Sequence, residues 1–178
     1  MNIFALDDCP IEAATCQHDK HVSKMILETA QMISACMWVR DDWYEDCKRI
    51  VRDPCNWLYK PAYVNHPCTV WARQTRGNMN WLLYHGRALN AEFKYRFGSS
   101  HKSFMEIINP FVVSGMFAGA MDRTPFAVAM PKKYKVEGDP VQSYRNYYLA
   151  EKIDRNTKWT KRCRVSHLPR WMSEHVIL

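Results

Sequence analysis

Glycine is scarce in this chain, six residues among 178, and phosphate-cradling glycine loops, dinucleotide fingerprints and serine nucleophile elbows are all absent. No CxxC pair occurs, and the seven cysteines (Cys9, Cys16, Cys36, Cys47, Cys55, Cys68 and Cys163) are an odd number. The opening MNIFALDDCP has neither a basic n-region nor a long apolar h-region. The cysteines therefore read as reduced thiols, most of them filling core volume, and a cytoplasmic location is expected. No apolar run approaches the roughly 20 residues of a membrane-spanning helix; the stretch from Phe111 to Met121 is broken by Ser114 and glycines. Neither a repeat nor a Gly-, Pro- or Ser-rich linker divides the chain. Residues 1–178 thus read as a single domain, able to hide roughly 70% of its unfolded surface without a metal or disulfide. No membrane and no obligate protein partner is expected.

Helical periodicity is what the chain does have. Between Ile11 and Val39 the residues Val22, Met25, Ile26, Thr29, Ile33, Cys36 and Met37 recur at three- and four-residue steps, which predicts one helix with a buried stripe. Asp7 or Asp8 can cap it, and Pro10 suits its first turn. A shorter helix is expected over Asp42–Arg52. In YKPAYVNHPCTVW two prolines force an extended entry, and Asn65 or His66 caps a helix with Pro67 in its first turn. Gly77 is expected to separate that helix from a long one, Asn78–Phe97, closed by Gly98. Residues 99–110 read as a loop with a short helical turn, 111–121 as a small buried helix or a strand, and 122–139 as a loop. A last helix over Val141–Ile153 carries Tyr144, Tyr147 and Tyr148.

The net charge of +7 is unevenly placed: residues 131–178 hold 11 Lys and Arg against 5 Asp and Glu. There Lys158, Trp159, Lys161, Arg162, Arg164, Arg170 and Trp171 interleave cations with indoles, a combination that neutralises phosphates and stacks on exposed bases. A polyanion partner is favoured over the alternative, a solvated basic tail whose tryptophans pack back on the core.

Stepping about 100° per residue, Gln17, His21, Lys24, Glu28 and Gln31 fall on one flank of the first helix. A Glu at the edge of a packed helix, with His21 two turns before it and Lys24 between, suits a general acid or base in a cleft. The competing reading is a solvated face with an i,i+4 Lys24–Glu28 pair. His18, Asp19 and His21 could begin a metal-dependent phosphohydrolase site, but no later HD pair or HxxxH completes a ligand shell. No metal is expected.

Four landmarks, in order, resemble the pyrimidine-dimer DNA glycosylases of the phage endonuclease V type and their bacterial relatives. The chain opens Met-x-Ile-aromatic-x-Leu, Met1 to Leu6, and then enters a helix bearing His21 and, seven residues on, Glu28. An aromatic and NHP follow in AYVNHPCTVW. A long helix carries Glu92 near its end and stops at Arg96-Phe97-Gly98. Glu151-Lys152-Ile153, a few polar residues and Thr157-x-Trp159 come last.

The resemblance implies an all-α, compact single-domain helical fold that cuts double-stranded DNA at damaged or modified pyrimidines without a cofactor. It implies glycosylase and associated AP-lyase activity, with the α-amine of Met1 attacking the sugar C1′ to form an imine and Glu28 assisting sugar opening and β-elimination. An α-amine has a reference pKa of about 7.7–8, against about 10.4 for lysine, so much of it is nucleophilic at neutral pH. Asn2 is large enough to hinder removal of the initiator Met. His21 is expected beside Glu28, and Asn2, Lys24, His66, Arg73, Arg76, Lys158, Trp159, Lys161, Arg162 and Arg164 are the expected DNA contacts. Asn2 stands where the family usually has Arg, Leu27 where an Arg often precedes the Glu, and insertions lie around 38–60 and 99–140. These departures motivate a second reading, a DNA-binding or base-modification accessory protein that keeps the fold without the lyase chemistry.

Overall fold

The computed structural model describes residues 2–162 and 170–173. The chain enters as a buried segment without helix, with Ile3, Phe4, Ala5 and Leu6 all inside, and then forms α1 (Pro10–Thr15), α2 (Asp19–Val39), α3 (Asp41–Cys47), α4 (Pro54–Trp57), α5 (Pro67–Gln74) and α6 (Arg76–Phe97). A π-helical turn (Phe104–Ile108) runs into α7 (Asn109–Ser114), and a 3-10 turn (Lys132–Tyr134) precedes α8 (Pro140–Glu151) and α9 (Arg170–Ser173). The fold is all-α; the β-type pairing among the described residues is an isolated bridge, Val136 to Asp139. No described helix is long and apolar enough to cross a membrane.

The long helices α2 and α6 pack against each other, with α1 on α6 and α5 across both. Their faces supply Val22, Ile26, Ile33 and Met37 from α2 and Leu82 and Leu89 from α6, all buried. Gly86 sets the spacing: a Cβ there would lie 2.9 Å from Thr29 Cγ2 and 3.1 Å from Ile108 Cδ1. Gly98 closes α6 at φ 87°, the left-handed position that only glycine occupies cheaply.

The expected single helix over 11–39 is two helices, broken at Cys16–His18. Distant side chains satisfy the backbone groups that the break exposes. Trp159 Nε1 donates to the Cys16 carbonyl at 3.1 Å, and Arg96 donates to the carbonyls of Gln17 and Thr15 at 2.8 and 3.3 Å. The His18 N–H donates to the Tyr148 hydroxyl at 3.0 Å. With those groups paired, a helix interruption costs little.

His66 caps α5 as expected, its Nδ1 accepting from the Cys68 N–H at 3.2 Å. The next boundary falls at Thr75 rather than Gly77, because the Thr75 hydroxyl accepts from the Asn78 N–H at 3.1 Å and starts α6 two residues early. The expected 42–52 helix stops at Cys47, and Asp53 caps the separate α4. Residues 99–110 are more helical than expected because Phe104, Ile107 and Ile108 are buried and hold the π-turn onto the core. Between the alternatives for 111–121, the structure gives the end of α7 followed by turns. Cys16, Cys36, Cys47 and Cys68 are buried free thiols and Cys9 and Cys55 exposed ones; Cys163 lies outside the described residues.

Candidate active site

Glu28 sits in the middle of α2 with only 8% of its surface exposed, so it is no solvated decoration. Its Oε2 accepts a hydrogen bond from the Asn2 backbone N–H at 2.7 Å, and its Oε1 lies 3.6 Å from Lys24 Nζ, whose side chain is mostly exposed. The buried entry segment delivers Asn2 to this carboxylate. Asn2 Oδ1 accepts from the N–H groups of Ile3 and Phe4 at 2.8 and 3.1 Å, and Asn2 Nδ2 donates to the Ala129 carbonyl at 3.1 Å. Asn2 thus clamps the segment to the 122–139 loop. Phe4 has φ 40°, a left-handed conformation that a bulky residue rarely holds unless its surroundings enforce it. Met1 lies outside the described residues.

The ring of Phe4 is gripped on both sides. His21 stacks on it at 4.6 Å between centroids and Tyr147 at 6.2 Å, while Tyr148 meets it edge-on at 5.3 Å. His18 stacks on His21 at 4.1 Å, and the His21 Nδ1 lies 3.1 Å from the Tyr148 hydroxyl. His21 therefore faces Phe4 and α8 rather than Glu28; seven residues of helix separate the two by about 10.5 Å of rise. Burial, with help from the neighbouring His18, Lys152 and Lys24 charges, pushes the His21 imidazole down to about 3. His18 is pushed down to about 4, mainly by burial.

Residues 1–106 match the family model described as pyrimidine dimer DNA glycosylase. The chain belongs to that family. No curated protein and no solved structure matched it. The matched span of this glycosylase-family chain contains Asn2, His21, Lys24, Glu28, His66, Arg73 and Arg76.

Among the expected DNA contacts, Lys24 and His66 lie near Glu28. Burial holds the His66 imidazole below its ordinary value, against the pull of the Glu28 charge. Other expected contacts are engaged within the protein. Arg73 donates to the Val64 carbonyl. Arg76 donates to the Met116 carbonyl, lies 3.6 Å from Asp46 and covers the Phe117 ring. Trp159, expected to stack on bases, is 4% exposed and hydrogen-bonded to the α1–α2 break, so in this conformation its ring meets the core. Lys161 donates to the Tyr95 carbonyl at 3.0 Å, and Arg162 pairs with Glu92 and lies over the Tyr95 ring. Lys158 is exposed, and Arg164 lies outside the described residues. The Asp19 carboxylate of the phosphohydrolase reading is held by Arg96 at 3.2 Å and by the Thr160 hydroxyl at 2.6 Å, and among the described residues no three His, Cys, Asp or Glu side chains are grouped to hold a metal.

Sequence reasoning missed the partners that come from far along the chain. Tyr147 and Tyr148 stood out as a helical pair without a role, and they prove to grip Phe4 and the two histidines. Arg96 and Glu92 were landmarks only. They form a buried network in which Arg96, 2% exposed, bonds Glu92 at 2.9 Å and reaches Asp19 at the start of α2. Buried charges survive only when paired in this way.

Proposed function

We propose that the chain is a DNA glycosylase with associated AP-lyase activity, acting on damaged or modified pyrimidines in double-stranded DNA as one domain over 1–178, in the cytoplasm. The observation that carries this reading is the 2.7 Å hydrogen bond from the Asn2 N–H to a buried Glu28 carboxylate. That N–H belongs to the residue that follows Met1 in the chain, which supports the Met1 amine as the nucleophile beside this carboxylate.

In the proposed reaction the unprotonated amine attacks C1′, the C1′–N bond to the base breaks, and the base leaves with its electron pair and takes a proton from solvent. The Glu28 carboxylate takes the proton that the attacking amine sheds and delivers it to the ring oxygen as the sugar opens to the protonated imine. It then takes a proton from C2′, and the 3′ phosphate departs by β-elimination. His21 is assigned a positioning role: neutral at pH 7, it holds Phe4, and through Phe4 the entry segment.

The test is borohydride trapping on ultraviolet-irradiated and abasic duplexes, which reduces the imine to a stable protein–DNA adduct. An adduct formed by the free-amine protein and missing from an N-terminally blocked control is the expected result. No adduct on any such duplex sinks the enzyme reading. The non-catalytic accessory reading then gains weight from Leu27, an exposed apolar side chain beside Glu28 where an Arg is expected.

A further inference from the structure

Tyr63 is a large aromatic side chain that the fold leaves outside. It is 68% exposed, and among the described residues its ring meets no other ring or cation and its hydroxyl meets no hydrogen-bond partner. Its backbone lies in the left-handed region at φ 52°, where a bulky residue is strained and asparagine or glycine sits at less cost. The turn that carries it is nonetheless firmly held. Pro61 and Pro67 bracket it, the His66 N–H donates to the Tyr63 carbonyl at 2.9 Å, and the Arg73 guanidinium donates to the Val64 carbonyl. A residue that strains its backbone and buries little of its ring contributes little to folding. What it offers is a rigid aromatic face to something outside the protein.

The place of the turn narrows what that is. The hydrogen bond from His66 to Tyr63 closes a β-turn, so their Cα atoms lie within about 7 Å of each other. His66 caps α5, and in the first turn of α5 Cys68 Sγ lies 3.7 Å from the Tyr144 hydroxyl. Tyr144 in turn meets the Phe4 ring edge-on at 6.3 Å, two residues after the Asn2 N–H that bonds Glu28. Tyr63 thus stands one β-turn from the start of the helix that packs beside the Glu28 site. Its exposed neighbours Lys60 and Asn65 are polar, so the ring is a lone platform in a polar setting rather than part of an apolar docking patch.

We propose that Tyr63 stacks on a nucleobase of the DNA, one that loses its stacking neighbour at the reacting nucleotide. The proposal rests on the DNA-processing reading above and adds to it a base contact carried by an uncharged ring. Chemistry on a base in a duplex takes the target nucleotide out of the stack, which uncovers the face of a flanking base and leaves the opposite base without its pair. Every base has a π-face, so an exposed phenol ring covers such a face whatever the base.

The experiment uses duplexes with one tetrahydrofuran abasic site, which cannot form an imine, and with the fluorescent base 2-aminopurine placed opposite the site or as its 5′ or 3′ neighbour. Stacking on an aromatic ring quenches 2-aminopurine, so the parent protein should quench it in at least one of these positions. Tyr63→Phe keeps the ring and should keep both quenching and affinity. Tyr63→Asn removes the ring but suits the left-handed backbone. Its urea midpoint should be equal to the parent's or higher, while affinity falls about 5- to 150-fold, the worth of one aromatic–base stack, and the quenching disappears. Weaker binding without loss of stability is a combination that a structural role for Tyr63 does not give.

Parental quenching or affinity in Tyr63→Asn overturns the stacking contact, as does the absence of quenching by the parent in all three positions. A lower urea midpoint in Tyr63→Asn would make Tyr63 a structural residue and overturn it too. Because tetrahydrofuran binding needs no amine chemistry, borohydride trapping of the parent protein on a true abasic duplex reports separately on the proposed enzyme activity.

Discussion

Glu28 is where the solvated-face and catalytic readings diverge, and its burial among Asn2, Lys24 and the entry segment decides what a substitution does. Glu28→Gln keeps a carbonyl oxygen to accept from the Asn2 N–H, so the entry segment stays in place and the fold is retained. If the carboxylate exchanges protons with the opening sugar, nicking falls about 10² to 10⁴-fold. DNA affinity stays equal or rises, because a negative charge has left a surface facing phosphates. Single-turnover nicking and equilibrium binding on the same abasic duplex check this; nicking at the parental rate removes Glu28 from the mechanism. His21 makes the opposite prediction. His21→Phe keeps the stack on Phe4 and His18 but leaves the Tyr148 hydroxyl without its His21 partner, a cost of about 1–3 kcal/mol. The urea midpoint should drop while nicking by the folded variant stays within about tenfold of the parent. A larger loss of rate in folded protein would return His21 to proton transfer.

At the scale of elements, residues 159–162 behave as a strap across the end of α6. Arg162 on Glu92, Lys161 on the Tyr95 carbonyl and Trp159 on the α1–α2 break tie it down. The basic, aromatic composition of 158–164 reads as a nucleic-acid surface, yet Trp159, Lys161 and Arg162 make their side-chain bonds within the protein. Arg162→Ala should therefore lower stability by about 1–3 kcal/mol, less than loss of a sole buried partner because Arg96 still pairs with Glu92. The log-log salt slope of DNA binding should change by less than about half a unit, since a cation held on a carboxylate releases little counterion atmosphere from DNA. Denaturant unfolding and salt titration of the same variant test both halves. A slope flattened by about one unit would show that Arg162 leaves Glu92 for a phosphate.

Across the whole molecule, burial lowers the imidazoles among the described residues, most of all His18, down to about 4, and His21 and His85, down to about 3. An unfolded imidazole titrates at about 6.5, so below that pH the unfolded chain binds more protons than the folded one. The histidine contribution is present above about pH 6.5 and is lost as pH falls toward 4 and 3, approaching 1.4 kcal/mol per pH unit for each group. Urea midpoints should fall steeply from pH 6.5 to 4.5, and His85→Gln should make the fall shallower. A flat profile over that window would show that these rings are protonated in the fold.

Local chemistry wrote much of this molecule directly into the sequence. The apolar stripe of α2, the His66 cap before Pro67, the Gly98 stop and the family pattern around His21 and Glu28 all depend on neighbours within a few residues, where period and backbone preference act. Other features depend on residues far apart in the chain: the Asn2 bond to Glu28 spans 26 positions, the Asn2 bond to Ala129 spans 127 and the Trp159 bond to Cys16 spans 143. The burial of Glu28, the break between α1 and α2, and the engagement of Arg162 and Trp159 within the protein follow from such pairings. No local period encodes which distant side chain will satisfy a backbone carbonyl, so only the packed chain could decide them.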